Sequence, residues 1–211
     1  MPSKVFFIDF KASYKENFVR KLKRLTDTAG LPERIKKKDL VAVKLHFGEL
    51  GNTAFIRPVY IRHIIDIIKA LSANPFLTDA NTLYAGSRGN AVDHLKTATE
   101  NGFAYSVVNA PLVVADGLRG KSESIIVINQ KNCREVYIGS EITEADALLS
   151  IAHFKGHELS GFGGAIKNVG MGSASRRGKM AQHADVAPKV KQKKCIGCGE
   201  CALHCAQEAI Y

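Results

Sequence analysis

The chain has 211 residues, of which 45% are hydrophobic and 24% charged, and its formal net charge is +10. This length is enough for one sizeable core and a small appendage. No apolar run approaches the roughly 20 residues that cross a bilayer, and Lys4 and Asp9 interrupt the apolar start, which argues against a membrane span and a signal peptide. The charge suits nucleic acid, an anionic substrate or an acidic protein partner, and its sign alone does not choose among them.

Strand patterns alternate with helix patterns through the first two thirds of the chain. We predict strands over residues 5–10, 40–47, 75–80, 105–110 and 146–154, and helices over residues 14–29, from Pro58 onward, and over residues 90–101. Apolar segments between residues 112 and 139 predict a local β excursion without a clear helix. This order predicts an α/β fold, with a mostly parallel sheet and flanking helices.

We expect the chain to divide into a core domain, a linker and a small C-terminal segment. An α/β core spans residues 1–185, a basic linker residues 186–194, and a small C-terminal cysteine segment residues 195–211. The linker offers no aromatic platform for stacking bases, so nucleic-acid binding is disfavoured and a solvated linker is the simplest interpretation. Five cysteines, four of them within eleven residues, do not resemble a disulfide framework and indicate a cytoplasmic protein.

The cysteine segment carries the most specific motif in the sequence. Its spacing is Cys195-x-x-Cys198-x-x-Cys201-x-x-x-Cys205, which resembles one half of a two-cluster bacterial ferredoxin except that Ala206 replaces the usual proline. Intervening glycines keep the loop free of side chains where backbone amides face the cluster. Zinc is disfavoured because it usually takes two well-separated cysteine pairs. The motif therefore predicts a 4Fe–4S cluster and electron transfer.

The role of Cys205 is open at this stage. In two-cluster ferredoxins the fourth cysteine of each run ligates the other cluster, and no second run occurs before Tyr211. Either Cys205 completes a single four-thiolate site, or the chain is a piece of a longer protein that continues into a second run. We expect the second.

A glycine-rich stretch follows the predicted strand 146–154. It contains the candidate residues Lys155, His157, Gly161, Gly163, Gly164, Lys167 and His183. Ligands of open parallel sheets bind at the carboxyl ends of strands, where glycines let the backbone approach closely. Because Lys44, His46 and Asp79 end two other predicted strands, we expect one pocket to collect both sets, suited to a small anionic ligand or a metal cofactor. His63 and His94 are interpreted as lying on polar helix faces.

The stretch from His153 to His183, together with the cysteine run, resembles the DUF362 proteins, which are uncharacterised and often joined to a ferredoxin segment. Members of that family are usually longer and continue past a second cysteine run. The resemblance extends along most of the chain.

A more distant similarity is to nickel-dependent lactate racemase. His157, the Gly161–Gly164 segment, Lys167 and His183 follow the order of a racemase loop. This resemblance implies that Lys167 tethers a nickel pincer cofactor, His183 ligates nickel and His157 is an acid or base. The racemase's second histidine has no counterpart, since residues 79–82 occupy its region.

Together these patterns predict an iron–sulfur electron-transfer protein with a ligand or cofactor site in its α/β core. The expected partner is an acidic electron carrier such as a ferredoxin or flavodoxin, docked on the Lys-rich linker. The alternative is a non-redox isomerase or racemase whose cluster is structural. A third interpretation, a basic nucleic-acid-binding module, predicts affinity that falls steeply with salt.

Overall fold

A computed structural model describes residues 3–158, 160–183 and 190–203. Its strands are β1 (Leu40–Lys44), β2 (Asn74–Asp79), β3 (Leu112–Val114), β4 (Glu123–Gln130), β5 (Cys133–Gly139), β6 (Ala147–Ser150), β7 (Lys155–His157) and β8 (Gly161–Gly163). Its α-helices are α1 (Phe18–Thr28), α2 (Pro58–Ala70), α3 (Ala91–Glu100), α4 (Tyr105–Val108), α5 (Ser140–Thr143), α6 (Ala165–Gly170), α7 (Arg176–His183) and α8 (Glu200–Leu203). A 3-10 turn, Gln192–Lys194, precedes the cysteines.

A parallel sheet of four strands, in the order β3-β2-β1-β6, forms the centre of the core. The α/β prediction is confirmed. β1 lies between two parallel neighbours, and its residues after Leu40 are buried, as its apolar run indicated. The helix α2 begins at Pro58, whose fixed φ suits a first helical position, and four isoleucines on one face of the helix enter the core. Its core residues are Ile61, Ile64, Ile65 and Ile68.

The predicted β excursion is an antiparallel hairpin of β4 and β5, separate from the main sheet. An isolated antiparallel bridge between Ile138 and Ala174 helps to link this hairpin to the segment that leads into α7. At Gly178, an added Cβ would lie 2.3 Å from the carbonyl oxygen of Tyr137, so only glycine allows α7 to lie this close to β5. The hairpin thus supports the helix that ends at His183.

Two predicted strands are wrong. Residues 5–10 form no strand, and Val5 and Phe7 are largely exposed, because the segment pairs with no strand of the described sheet. Its β propensity is real, but without a neighbouring strand the segment makes only side-chain contacts among the described residues. Phe10 stacks on Phe18, with ring centroids 4.9 Å apart, and Asp9 pairs with Lys21 on α1.

Residues 105–110 contain the helix α4 instead of a strand. Asn109 ends this helix in the left-handed region, at φ 58°, and donates a 3.0 Å hydrogen bond to Asp66 on α2. Packing on α2 therefore overrides the β-branched pattern, and the strand begins later, at Leu112.

The strand predicted over residues 146–154 is shorter than expected and ends at Ser150. The chain then crosses the sheet edge and enters a small hairpin of β7 and β8. Within the described ranges, no helix is long and apolar enough to cross a membrane. The predicted linker is described only from residue 190 onward, and Cys205 lies outside the described residues.

Candidate functional site

A cavity of about 440 Å³ lies at the carboxyl ends of β1, β2 and β6. The candidate residues that line it are Lys44, His46, Asp79, Lys155, His157, Gly163, Gly164, Lys167 and His183. Gly161 is the one candidate of the core set outside this lining. The structure thus brings residues from four separate parts of the sequence to one place, while their chemical roles stay predictions.

The floor of the cavity is a buried ion pair between the last residues of two neighbouring strands. Lys44 Nζ lies 2.9 Å from Asp79 Oδ1, and the two side chains are 1% and 5% exposed. Lys44 also donates to the Leu45 carbonyl at 3.1 Å and to Asn168 Oδ1 at 2.8 Å. All three ammonium hydrogens of Lys44 thus have acceptors, which a buried charge requires.

Asn168 on α6 fastens the glycine-rich stretch to the ends of β1 and β6. Its amide donates to the Lys44 carbonyl at 3.0 Å and to Ser150 Oγ at 2.9 Å. At Gly172, an added Cβ would lie 2.3 Å from the Asn168 carbonyl oxygen and 2.8 Å from Lys44 Nζ. A glycine is therefore required where this segment passes over the buried lysine.

Arg88 is a second cationic partner of Asp79. Its Nη1 donates to Asp79 Oδ2 at 3.1 Å, and its Nε donates to Glu49 Oε1 at 2.9 Å. Tyr84 joins the same network through a 2.8 Å bond from its hydroxyl to Glu49. Burial alone would raise the pKa of Asp79, but Lys44 and Arg88 hold that pKa well below its ordinary value. Asp79 is thus an anion between two cations.

The lining carries more positive than negative charge. Its cations are Lys44, Arg88, Lys155, Lys167 and Lys179, and its carboxylates are Asp79 and Glu158. Because Asp79 is engaged with two of the cations, three lysines share one further carboxylate, Glu158, among the described lining residues. Such a concave, cationic surface attracts small anions.

Two histidines meet across one wall of the cavity. The rings of His46 and His153 lie edge to face, with centroids 6.2 Å apart. Burial and the nearby Arg88 lower the pKa of His46 to about 4, and burial and Lys155 lower the pKa of His153. His46 Nδ1 accepts a 2.8 Å hydrogen bond from the Gly48 amide, which leaves the ring proton on Nε2. Both rings are therefore mainly neutral at pH 7.

Lys167 on α6 and His157 on β7 contact each other through Nζ and Nε2. The Ser160 amide donates to His157 Nδ1 at 3.2 Å, which fixes the ring. Burial and the charge of Lys155 lower the pKa of Lys167. His183, the last residue of α7, is exposed at the edge of the same cavity.

Several residues of the site were missed or misjudged in the sequence. His94, assigned to a polar helix face, is fully buried, and its Nε2 lies 3.6 Å from Asp79 Oδ2. Its ring packs edge-on against Phe47, so the prediction was wrong because α3 buries this side against the sheet. Arg88, His153 and Lys179 received no role. For His153 alone a signal was available in the sequence, since it lies next to the last residue of the predicted strand 146–154.

The described cysteines of the C-terminal run, Cys195, Cys198 and Cys201, are exposed. Over residues 3–158, 160–183 and 190–203, no three His, Cys, Asp or Glu side chains lie together as a metal-binding group. Gly197 and Gly199 adopt left-handed conformations, with φ of 67° and 76°. Glycine populates this region at little cost, so the chain between the cysteines turns tightly.

One comparison with known proteins gave a result. The family model described as "Domain of unknown function (DUF362)" matches residues 41–204, well over half of the chain. Neither a curated protein nor a solved structure matches this sequence. The matched range begins in β1 and includes the strand ends, both small hairpins and three of the four clustered cysteines. The resemblance to DUF362 is thereby confirmed, and the chain belongs to the DUF362 family.

Proposed function

We propose that this protein transfers electrons through a 4Fe–4S cluster and binds a small anionic ligand, or a metal cofactor, in the cavity of its α/β core. The proposed anion site in the core rests on the excess of lysines around the cavity. The buried carboxylate of Asp79 is already paired with Lys44 and Arg88. A ligand that brings negative charge would complete the electrostatics of the site.

Within the core site the residues have different tasks. Lys44 and Arg88 are held by Asp79 and shape the floor, while Lys155 and Lys167 present ammonium groups that can hold a carboxylate or phosphate. His46 is a neutral imidazole in the wall and can accept or donate one proton.

The cysteine segment fits an iron–sulfur cluster by its donor chemistry. Thiolates are the ligands that such clusters take, and the left-handed glycines at positions 197 and 199 turn the chain between them. An added Cβ at either glycine would meet no atom within 4 Å, so the space around this loop is open. A bound cluster would supply one-electron transfer.

Reconstitution tests the cluster directly. After anaerobic incubation with iron and sulfide, we expect about four irons per chain and a visible absorption that dithionite bleaches. Cys198→Ser should lose the iron, whereas Cys133→Ser, a change on β5 outside the run, should keep it. About eight irons per chain, or equal iron in the two variants, would contradict the proposal.

The same preparation decides the role of Cys205. If this residue serves a second cluster in a longer protein, Cys205→Ser should retain the iron with one open coordination site, visible as a changed paramagnetic resonance signal. Loss of iron equal to that in Cys198→Ser would instead assign Cys205 to the same cluster.

Calorimetric titration with inorganic phosphate and with acetate tests the core site. The double variant Lys155→Gln, Lys167→Gln should weaken binding by about tenfold or more, because each charged hydrogen bond contributes roughly 1.5–3 kcal/mol. Lys96→Gln is the matched control, since Lys96 is 70% exposed on α3. No detectable binding of either anion to the wild-type chain would overturn this half of the proposal.

A non-redox isomerase with a structural cluster is the second candidate. Four histidines in the cavity lining favour it, because imidazoles can move a proton to and from a ligand. The racemase similarity gives the same set its proposed roles, with Lys167 as tether, His183 as metal ligand and His157 as acid or base. Turnover that is independent of the redox state of the cluster would favour this candidate over electron transfer.

We also propose a cytoplasmic location and an acidic electron carrier, such as a ferredoxin or flavodoxin, as partner. The support for the carrier is the exposed cluster of Lys191, Lys193 and Lys194 directly before the first cysteine of the run. Opposite charge would steer such a carrier toward the cysteine segment.

A further inference from the structure

Lys179 is a buried lysine on α7 that the proposed function leaves without a task. Its side chain is 7% exposed and lines the cavity. Its Nζ donates to the Ala174 carbonyl, which is its one hydrogen-bond partner among the described residues. An ammonium group has three hydrogens to donate, so up to two of those of Lys179 have no acceptor among the described residues.

The position of Lys179 is fixed by the start of α7. Ser175 Oγ accepts a 3.0 Å hydrogen bond from the Gly178 amide, and Arg176 donates to the Gly89 carbonyl across the site. Gly178 lies against β5, where no larger residue fits. The helix therefore holds Lys179 on the cavity side by contacts that leave its amine head available.

The other lysines of the cavity are held differently. Lys44 makes an ion pair and two further hydrogen bonds, which occupy its ammonium group. Lys167 contacts His157, and Lys155 is exposed. Lys179 is buried, and within the described residues no carboxylate lies at ion-pair distance from it. These are the surroundings in which a lysine becomes a nucleophile.

Burial is the main cause that lowers the pKa of Lys179, and the nearby carboxylates partly oppose it. Burial lowers its pKa to about 8, with Lys44 and Arg88 contributing and Asp116 and Asp79 opposing. At pH 7 about one molecule in ten then carries the neutral amine, on the order of a hundredfold more than at an exposed lysine. The neutral amine is the form that attacks a carbonyl carbon.

We propose that Lys179 forms an imine with the carbonyl carbon of a small 2-oxo acid whose carboxylate is held by Lys155 and Lys167. This inference rests on the proposed anion site and specifies its ligand class. The amine nitrogen bonds to the carbonyl carbon, and the proton that this nitrogen loses goes to the carbonyl oxygen to give a carbinolamine. Loss of water, which carries away that oxygen, leaves the carbon–nitrogen double bond. The step is a condensation and needs no oxidant or reductant.

Reductive trapping tests the imine. The full chain is incubated with pyruvate and sodium cyanoborohydride at pH 7, so that hydride converts an imine into a stable secondary amine, and digested peptides are then mapped by mass spectrometry. We expect Lys179 to be labelled at least about tenfold faster than the exposed Lys96, because it carries far more free amine. Equal or slower labelling of Lys179 would overturn the inference.

Two controls separate site chemistry from general reactivity. Lys179→Arg, which keeps the positive charge, should abolish the fast label, whereas Lys96→Arg should leave it unchanged. Methyl pyruvate keeps the reactive carbonyl but lacks the anion, so it should label Lys179 several-fold more slowly than pyruvate does. An ester that labels Lys179 as fast as pyruvate would refute the carboxylate part.

Direct binding keeps this inference distinct from the proposed function. If pyruvate binds the wild-type chain by calorimetry but does not label Lys179 faster than Lys96, the anion site stands and the imine falls. If neither pyruvate nor phosphate binds, the anion site itself is wrong, and the imine falls with it.

Discussion

The cavity at the strand ends and the cysteine segment hold their reactive groups in opposite ways. In the cavity, Lys44, Asp79 and Arg88 are nearly inaccessible, and Asp79 bonds to both cations. In the cysteine segment, the described thiols are exposed and form no metal-binding group among the described residues. The first site is organised by the fold, whereas a bound metal would have to organise the second. Changes in the cavity should therefore alter folding stability, and changes in the cysteine segment should alter metal content and partner binding.

The sharpest test of this contrast is removal of the shared anion. Asp79→Asn leaves Lys44 as a buried cation without a carboxylate and leaves Arg88 with Glu49 alone, so the free energy of unfolding should fall by about 3–5 kcal/mol. Asp27→Asn is the matched control, since Asp27 pairs with Lys23 on the exposed face of α1 and should cost below about 1 kcal/mol. Urea denaturation measures both. Equal losses would show that the cavity network does not stabilise the fold.

The dependence of folding stability on pH should reveal the lowered pKa of His46. The ordinary pKa of 6.5 for His46 is lowered to about 4 in the folded chain, so between these values the unfolded state binds a proton that the folded state rejects. The contribution of His46 is fully present above pH 6.5 and is lost as the pH falls toward 4, by about 3 kcal/mol at most.

His46→Gln should remove that component. The wild-type free energy of unfolding should then decline more steeply than that of the variant between pH 6.5 and pH 4, while above pH 7 the two slopes agree. Denaturant titrations at several pH values provide the comparison, and parallel curves throughout would contradict neutral burial of His46.

Two neighbouring glycines allow a smaller and closely matched test. Gly172→Ala forces a methyl group against the Asn168 carbonyl and Lys44, and overpacking of this kind costs about 1–3 kcal/mol. At Gly170, an added Cβ meets nothing within 4 Å, so Gly170→Ala should be neutral or stabilise by about 0.5–1 kcal/mol. Thermal unfolding of the two variants measures the difference. Equal melting temperatures would refute the close approach at Gly172.

The sequence identifies the residues of the cysteine segment more completely than those of the cavity, for physical reasons. Thiolate spacing is local, so the candidate ligands Cys195, Cys198 and Cys201 can be named from the motif alone. The α/β class and the placement of Lys44 and Asp79 followed from alternating patterns and from the common edge that parallel strand ends share. Because parallel strands end at the same edge of the sheet, this rule alone predicts that Lys44 and Asp79 line one cavity.

Arg88 and His94 could not be found in this way. Arg88 lies in a loop, and only the path of that loop places it 3.1 Å from Asp79. His94 lies on a helix whose apolar face is weakly marked, so its burial depends on how α3 packs against the sheet. For the same reason residues 5–10 looked like a strand, since pairing is a tertiary property that local propensity does not contain.

The mildest effect is expected on the cysteine side, where exposed charge acts only at a distance. Replacing Lys191, Lys193 and Lys194 by Gln should slow reduction by an acidic ferredoxin or flavodoxin several-fold at low salt, because opposite charges speed encounter. At physiological salt the attraction is screened over about 8 Å, and at higher salt the variant and wild-type rates should agree. A matched variant with Lys36, Lys37 and Lys121 changed to Gln removes the same charge from exposed positions elsewhere and should slow reduction less. Stopped-flow rates across a salt series measure both variants. If the two slow equally, net charge and not a docking patch attracts the carrier; if neither slows, electrostatic docking at the linker is wrong.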